Sequence, residues 1–100
     1  MADKELHRVR TGFVEKVSET VIKQLLDDLA EDRVLNDGEC ESILERNTTR
    51  ADKARCLIDI VKRKGPKASN TMIAHFQRRE PLLFDNLGLA VIIHVFLLIS

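Results

Sequence analysis

Residues 20–32, TVIKQLLDDLAED, decide the fold. Ile22, Leu25, Leu26 and Leu29 recur at i, i+3, i+4 and i+7, the spacing that lines one face of an α-helix and fits no strand. The opposite face is acidic. Adjacent turns set Asp27 against Glu31 and Asp28 against Asp32, and each such like-charge pair costs an isolated helix about 0.2–0.5 kcal/mol. A helix carrying that cost reflects either an accident of composition or a basic counter-surface. Arg46, Arg50, Lys53, Arg55, Lys62, Arg63 and Lys64, all within the next 32 residues, are the candidates.

The helical period continues on both sides, and no run alternates as a strand. Upstream, Leu6, Val9, Phe13 and Val17 form a stripe over a first helix from about Asp3 to Val17, with a bend expected at Gly12. Ser18 or Thr20 caps the second helix, which ends near Asp32–Val34. Asn36 with Glu39 has capping-box spacing and starts a short third helix expected to bury Cys40, Ile43 and Leu44. Thr49 caps a fourth helix whose inward residues are Ala54, Leu57, Ile58 and Val61, and Gly65 stops it. Pro66 opens a fifth helix, with Ala68, Met72, Ile73 and Phe76 buried, and Pro81 a sixth that Gly88 ends. Six amphipathic helices with tight connections predict an all-α antiparallel bundle over residues 1–89.

The bulk numbers narrow the function. One hundred residues make one domain, too few for a typical two-domain enzyme. Sixteen basic and sixteen acidic side chains leave no net field for nucleic acid, so electrostatic recognition must come from separated patches. Without Trp or Tyr there is no aromatic platform for single strands. Cys40 and Cys56 lack CxxC spacing and nearby histidine donors, and the charged amino terminus is no secretory signal, which together predict a reduced, cytoplasmic protein. Cys56 and His75 form no specified nucleophile–base pair, no metal or other cofactor is implied, and His94 is incidental to its apolar surroundings. Residues 90–100 continue an apolar run, about half the length a membrane-spanning helix needs, and read as a packing element or tail. Asp52, Arg55, Asp59 and Lys62 alternate in sign along one stripe, as on a solvated face laced with weak ion pairs.

The order of several strings adds a family. Met1 to Lys4, Leu6, Arg10 and Phe13; Leu25 to Asp27 and Leu29; Arg33 to Asn36; Asn47, Thr49, Asp52, Lys53 and Arg55; Leu57 to Asp59; Lys64-Gly65; and Leu87 to Leu89 together resemble a caspase recruitment domain. Within that family the chain is similar to the prodomain of the inflammatory, interleukin-converting caspases. The resemblance implies the death fold, a six-helix Greek-key bundle with its first helix broken in two. It implies like-with-like association, in which a basic face on the first and fourth helices meets an acidic face on the second helix of the next molecule, building helical oligomers. By matching position it implicates Arg10 and Arg55 on the basic face, with Lys53 beside them, and Asp27 on the acidic face, which helical geometry extends to Asp28 and Glu31. Thr11 stands where the family extends its basic patch, leaving Arg8 and Arg10 as the first helix's contribution to that patch. The implied partners are recruitment domains of inflammatory caspases, adaptors and NOD-like receptors. No protease domain accompanies the resemblance, which points to a regulator or decoy built from this domain, or to the amino-terminal piece of an inflammatory caspase.

Overall fold

The computed structural model describes residues 2–89, and within them six helices and no strand. They are α1 (Ala2–Lys16), α2 (Glu19–Glu31), α3 (Asp37–Arg46), α4 (Arg50–Arg63), α5 (Pro66–Arg79) and α6 (Pro81–Asn86). Each start follows from a local signal. Ser18 Oγ accepts from the Val21 amide, Thr49 Oγ1 from that of Asp52, and Asn36 and Glu39 close a full capping box. Pro66 and Pro81 stand at the first turns of α5 and α6, where an amide hydrogen is not needed.

Two ends are closed by the same device. After α2 the Arg33 amide donates to Ala30 O and that of Val34 to Leu29 O; after α6 Gly88 donates to Asp85 O and Leu89 to Phe84 O. Both are Schellman turns, whose first residue beyond the cap takes a left-handed backbone. Gly88 does so at φ 73°, whereas Arg33 does so at 62° with a full side chain. The turn at Gly88 returns Leu89 to the core at 1% exposure, so the packed unit runs through Leu89. The expected apolar tail, residues 90–100, lies outside the described residues.

The core sits where α1 packs across α4 and α5, and α5 also contacts α2, α4 and α6. Phe13 on α1, Phe76 on α5 and Phe84 on α6 form an aromatic ladder. The first pair meets edge to face at 5.2 Å and 75°, the second is tilted at 6.2 Å. Val17, Ile22, Leu25, Leu29, Ile43, Leu57, Ile58 and Met72 fill the space around them.

Two expectations need correction. The first helix is one continuous element from Ala2 to Lys16 rather than the two pieces the resemblance implies. Gly12 supplies clearance there: a Cβ at this position would stand 2.5 Å from Leu87 Cδ2, so the glycine leaves room for the Leu87 side chain just beyond α6. Leu44 is not buried but 38% exposed, while Ile43 beside it is fully covered. α3 has only ten residues and contacts only α2 and α4 appreciably, too narrow a seat to bury both.

Candidate protein-interaction site

The six implicated residues fall on two faces and differ in how they are held. On α2, Asp27 and Glu31 project to solvent and, among the described residues, make no ion pair. Asp28, one residue on, turns toward α5. Its carboxylate takes a two-point contact from Arg79, 2.9 Å from Nε and 2.7 Å from Nη2, and lies 3.7 Å from His75 Nδ1. Only 13% of the Asp28 side chain is exposed. The Arg79 hydrogen bonds hold its carboxyl below the ordinary aspartate range, against the opposing effect of burial.

A cleft between α2 and α5 is lined by Asp28, Glu31, Asp32, His75, Arg78 and Arg79. Arg78 Nη2 meets His75 Nδ1, and Asp32 Oδ2 meets His75 Nε2. A guanidinium can only donate, so Nδ1 accepts and Nε2–H donates to Asp32. The like-charge cost of the second helix is thus divided. Asp28 is paired with Arg79 and Asp32 is hydrogen-bonded to His75, and Asp27 with Glu31 are left facing outward.

On the other face, α1 and α4 lie side by side. Arg10 reaches across with its fork on Asp59, Nε to Oδ1 at 2.7 Å and Nη2 to Oδ2 at 2.8 Å. Arg55 pairs with Asp52 one turn back on α4, with both side chains 45% exposed. Lys53 is 14% exposed and held by Glu19 at 2.6 Å. The structure therefore brings Arg10 and Arg55 onto adjoining helices and confirms the alternating stripe as a row of intramolecular pairs. It sets Lys53 in a α4-to-α2 bridge.

Charge patterning alone misassigns several cations. Arg8 turns away from Arg10, donating to Leu87 O and Gly88 O at the end of α6. Arg50 is a structural clamp: Nη1 donates to Val14 O at 2.7 Å and Val17 O at 2.8 Å, and Nη2 to Glu15 O at 3.3 Å. It satisfies the last carbonyls of α1 from the first residue of α4. Lys64 pairs with Glu39. Of these, only the Arg8–Glu5 contact at three residues' spacing carried a local sequence signal.

Among the described residues no group of His, Cys, Asp and Glu is arranged to hold a metal, and no helix is long and apolar enough to cross a membrane. Burial raises the Cys40 thiol above its ordinary value, and Asp37, Glu39, Asp27 and Glu41 add to the effect, so this thiol stays protonated and a poor nucleophile.

The paired carboxylates give the fold an acid limit. Arg10 lowers Asp59 and Arg79 lowers Asp28, so their folded pKa lies beneath the unfolded one. Stability from such groups is complete above the unfolded value, near pH 4, and drains away as pH falls through the folded values. The melting temperature is therefore expected to hold from pH 7 to about pH 5 and to drop below about pH 4. Asp28→Asn should be less stable than the parent at neutral pH and show a shallower acid loss in calorimetry.

The family model for the caspase recruitment domain matches residues 3–90. Caspase-1 of Equus caballus is 44% identical over 90 residues, 90% of this chain and 22% of that protein; Sus scrofa caspase-1 is 47% identical with the same coverage. The chain thus spans about a fifth of the length of these relatives. Human caspase recruitment domain-containing protein 18 is 39% identical over 89% of this chain and 99% of its own length. The solution structure of ICEBERG, an inhibitor of interleukin-1beta generation, superposes with a TM-score of 0.71 at 39% identity, covering 77% of this chain and 86% of that one. The six-helix death fold is thereby shown over the described residues, and the chain belongs to the caspase recruitment domain family.

Proposed function

We propose that this chain is a homotypic interaction module that binds the recruitment domains of inflammatory caspases, adaptors or NOD-like receptors in the cytosol and restrains caspase recruitment as a decoy. The observation that carries this is the separation of charge within a family-matched domain. Asp27 and Glu31 stand exposed on α2, and Arg10 and Arg55 lie on α1 and α4. A molecule with both faces can receive a neighbour on one side and offer itself on the other, which builds a helical oligomer. Arg–carboxylate contacts suit the purpose, since the planar fork matches a carboxylate and tolerates partial desolvation.

The inhibitory direction is supported by ICEBERG, described as an inhibitor of interleukin-1beta generation. A second reading has its own support. Identity to Sus scrofa caspase-1 is 47%, against 39% for the human relative matched over 99% of its length, which fits a prodomain or splice form of an inflammatory caspase. Co-expression with caspase-1 separates activation from restraint: rising amounts of this chain should lower caspase dimerisation and cytokine-precursor cleavage together. Increased cleavage would identify a nucleator and overturn the decoy assignment.

A further inference from the structure

We infer that Asp59 is a specificity-determining residue of the basic face, an internal counter-ion that occupies the Arg10 fork and admits only partners able to replace it with a closely spaced pair of carboxylates. The inference rests on the homotypic reading above. Arg10 and Arg55 are not equivalent donors. Arg55 is tied to Asp52 by a short-range contact on its own helix, with both side chains 45% exposed, and such pairs open readily in water. Arg10 is clamped at two points across two helices, with its side chain and that of Asp59 31% and 34% exposed. That geometry uses the Nε and Nη2 donors, the edge a partner carboxylate would engage most directionally.

Asp59 is also surrounded by more cation than it neutralises. Lys62 Nζ lies 3.9 Å from its Oδ1 and 3.3 Å from His7 Nδ1, and Arg63 Nε donates to its backbone oxygen at 3.4 Å. His7, Arg10, Asp59, Lys62 and Arg63 line one shallow depression. The depression keeps a positive excess that attracts acids, while its best-aligned donor is already occupied. A lone carboxylate arriving there exchanges one ion pair for another and gains little. Two carboxylates one turn apart, as Asp27 and Glu31 are on α2, can take the fork and still satisfy a neighbouring cation. Asp59 thus filters partners by the spacing of their acids.

The test is the affinity of full-length Asp59→Asn for a caspase-1 recruitment domain, by fluorescence anisotropy at fixed salt. Relative to the parent it should tighten by about three- to tenfold, the exchange of a partly exposed pair. The gain should vanish in an Arg10→Ala background, whereas Asp52→Asn should change binding less than twofold, as expected for an exposed pair. A partner with one acid of its α2 pair removed should gain more from Asp59→Asn than the intact partner. Unchanged or weaker binding by a folded Asp59→Asn overturns the filter, weaker binding identifying Asp59 as a positioner of Arg10. If that variant does not fold, NMR of the parent decides: Asp59's carboxyl titration moves up toward the ordinary aspartate range in the complex, or the filter is wrong. Asp27→Arg on the acidic side keeps the two ideas apart. Its loss of docking on the α2 face with no Asp59→Asn gain sinks only the filter; docking retained there sinks the homotypic reading as well.

Discussion

Asp27→Arg is expected to abolish docking of a caspase-1 recruitment domain on the α2 face, weakening that contact by more than about a hundredfold and leaving the Arg10–Arg55 face to bind, because an arginine aimed at a basic face exchanges attraction for a like-charge contact of several kcal/mol. The monomer should be untouched. Asp27 is exposed and, among the described residues, without an ion-pair partner; the new arginine gains Glu31 as an i,i+4 complement and meets Lys23 one turn back, so the helix gains and loses about equally. Helical circular dichroism and melting temperature should equal those of the parent. Asp28→Arg gives the contrast. It removes a two-point contact to Arg79 and sets a cation beside Arg79 and His75, so it should lose melting temperature first. Full binding by folded Asp27→Arg would sink the charge-face assignment.

The second large effect is on the fold. Phe76→Ala should cost about 3–5 kcal/mol, the usual range for emptying a buried aromatic site. Phe76 is 2% exposed and is the middle ring of the ladder, so its loss takes contacts from both Phe13 and Phe84 and separates α1 from α6 across α5. A domain of this size has about 5–15 kcal/mol in total, so urea unfolding should shift to a much lower midpoint. Leu82→Ala is the matched control. With 79% of that residue exposed, its change should stay within about 0.5 kcal/mol. Equal midpoints for the two variants would show that the ladder does not hold the core.

How much of this was legible from the chain depends on distance along it. Caps and breakers act within four residues, so Asn36 with Glu39, Thr49, Gly65-Pro66 and Pro81 announced the helix boundaries directly. The 3.6-residue period likewise gave the buried stripes, failing at Leu44 because periodicity says which way a residue points and not whether a neighbour is there. The charged contacts are another matter. Arg10 finds Asp59 at a separation of 49 residues and Asp28 finds Arg79 at 51. Each is fixed by how the helices cross, which no local pattern encodes. The acidic cluster on α2 therefore looked uniform in sequence, although folding splits it into an internally bonded half and an exposed half. Arg50 misled for the same reason, since a carbonyl clamp and a binding-face arginine have the same local signature.

The Arg50 clamp also bears on how the molecule is made. α1 contacts chiefly α4 and α5, and its last carbonyls are satisfied by a side chain 33–36 residues downstream. A 15-residue helix is only marginally stable alone in water. During synthesis α1 therefore leaves the ribosome before its partners exist, and closure waits for the chain through α4 and α5. The helix that carries Arg10 is translated before α4 and α5 and is secured only with them, so a nascent chain cannot present the two-helix basic face before α4 is made.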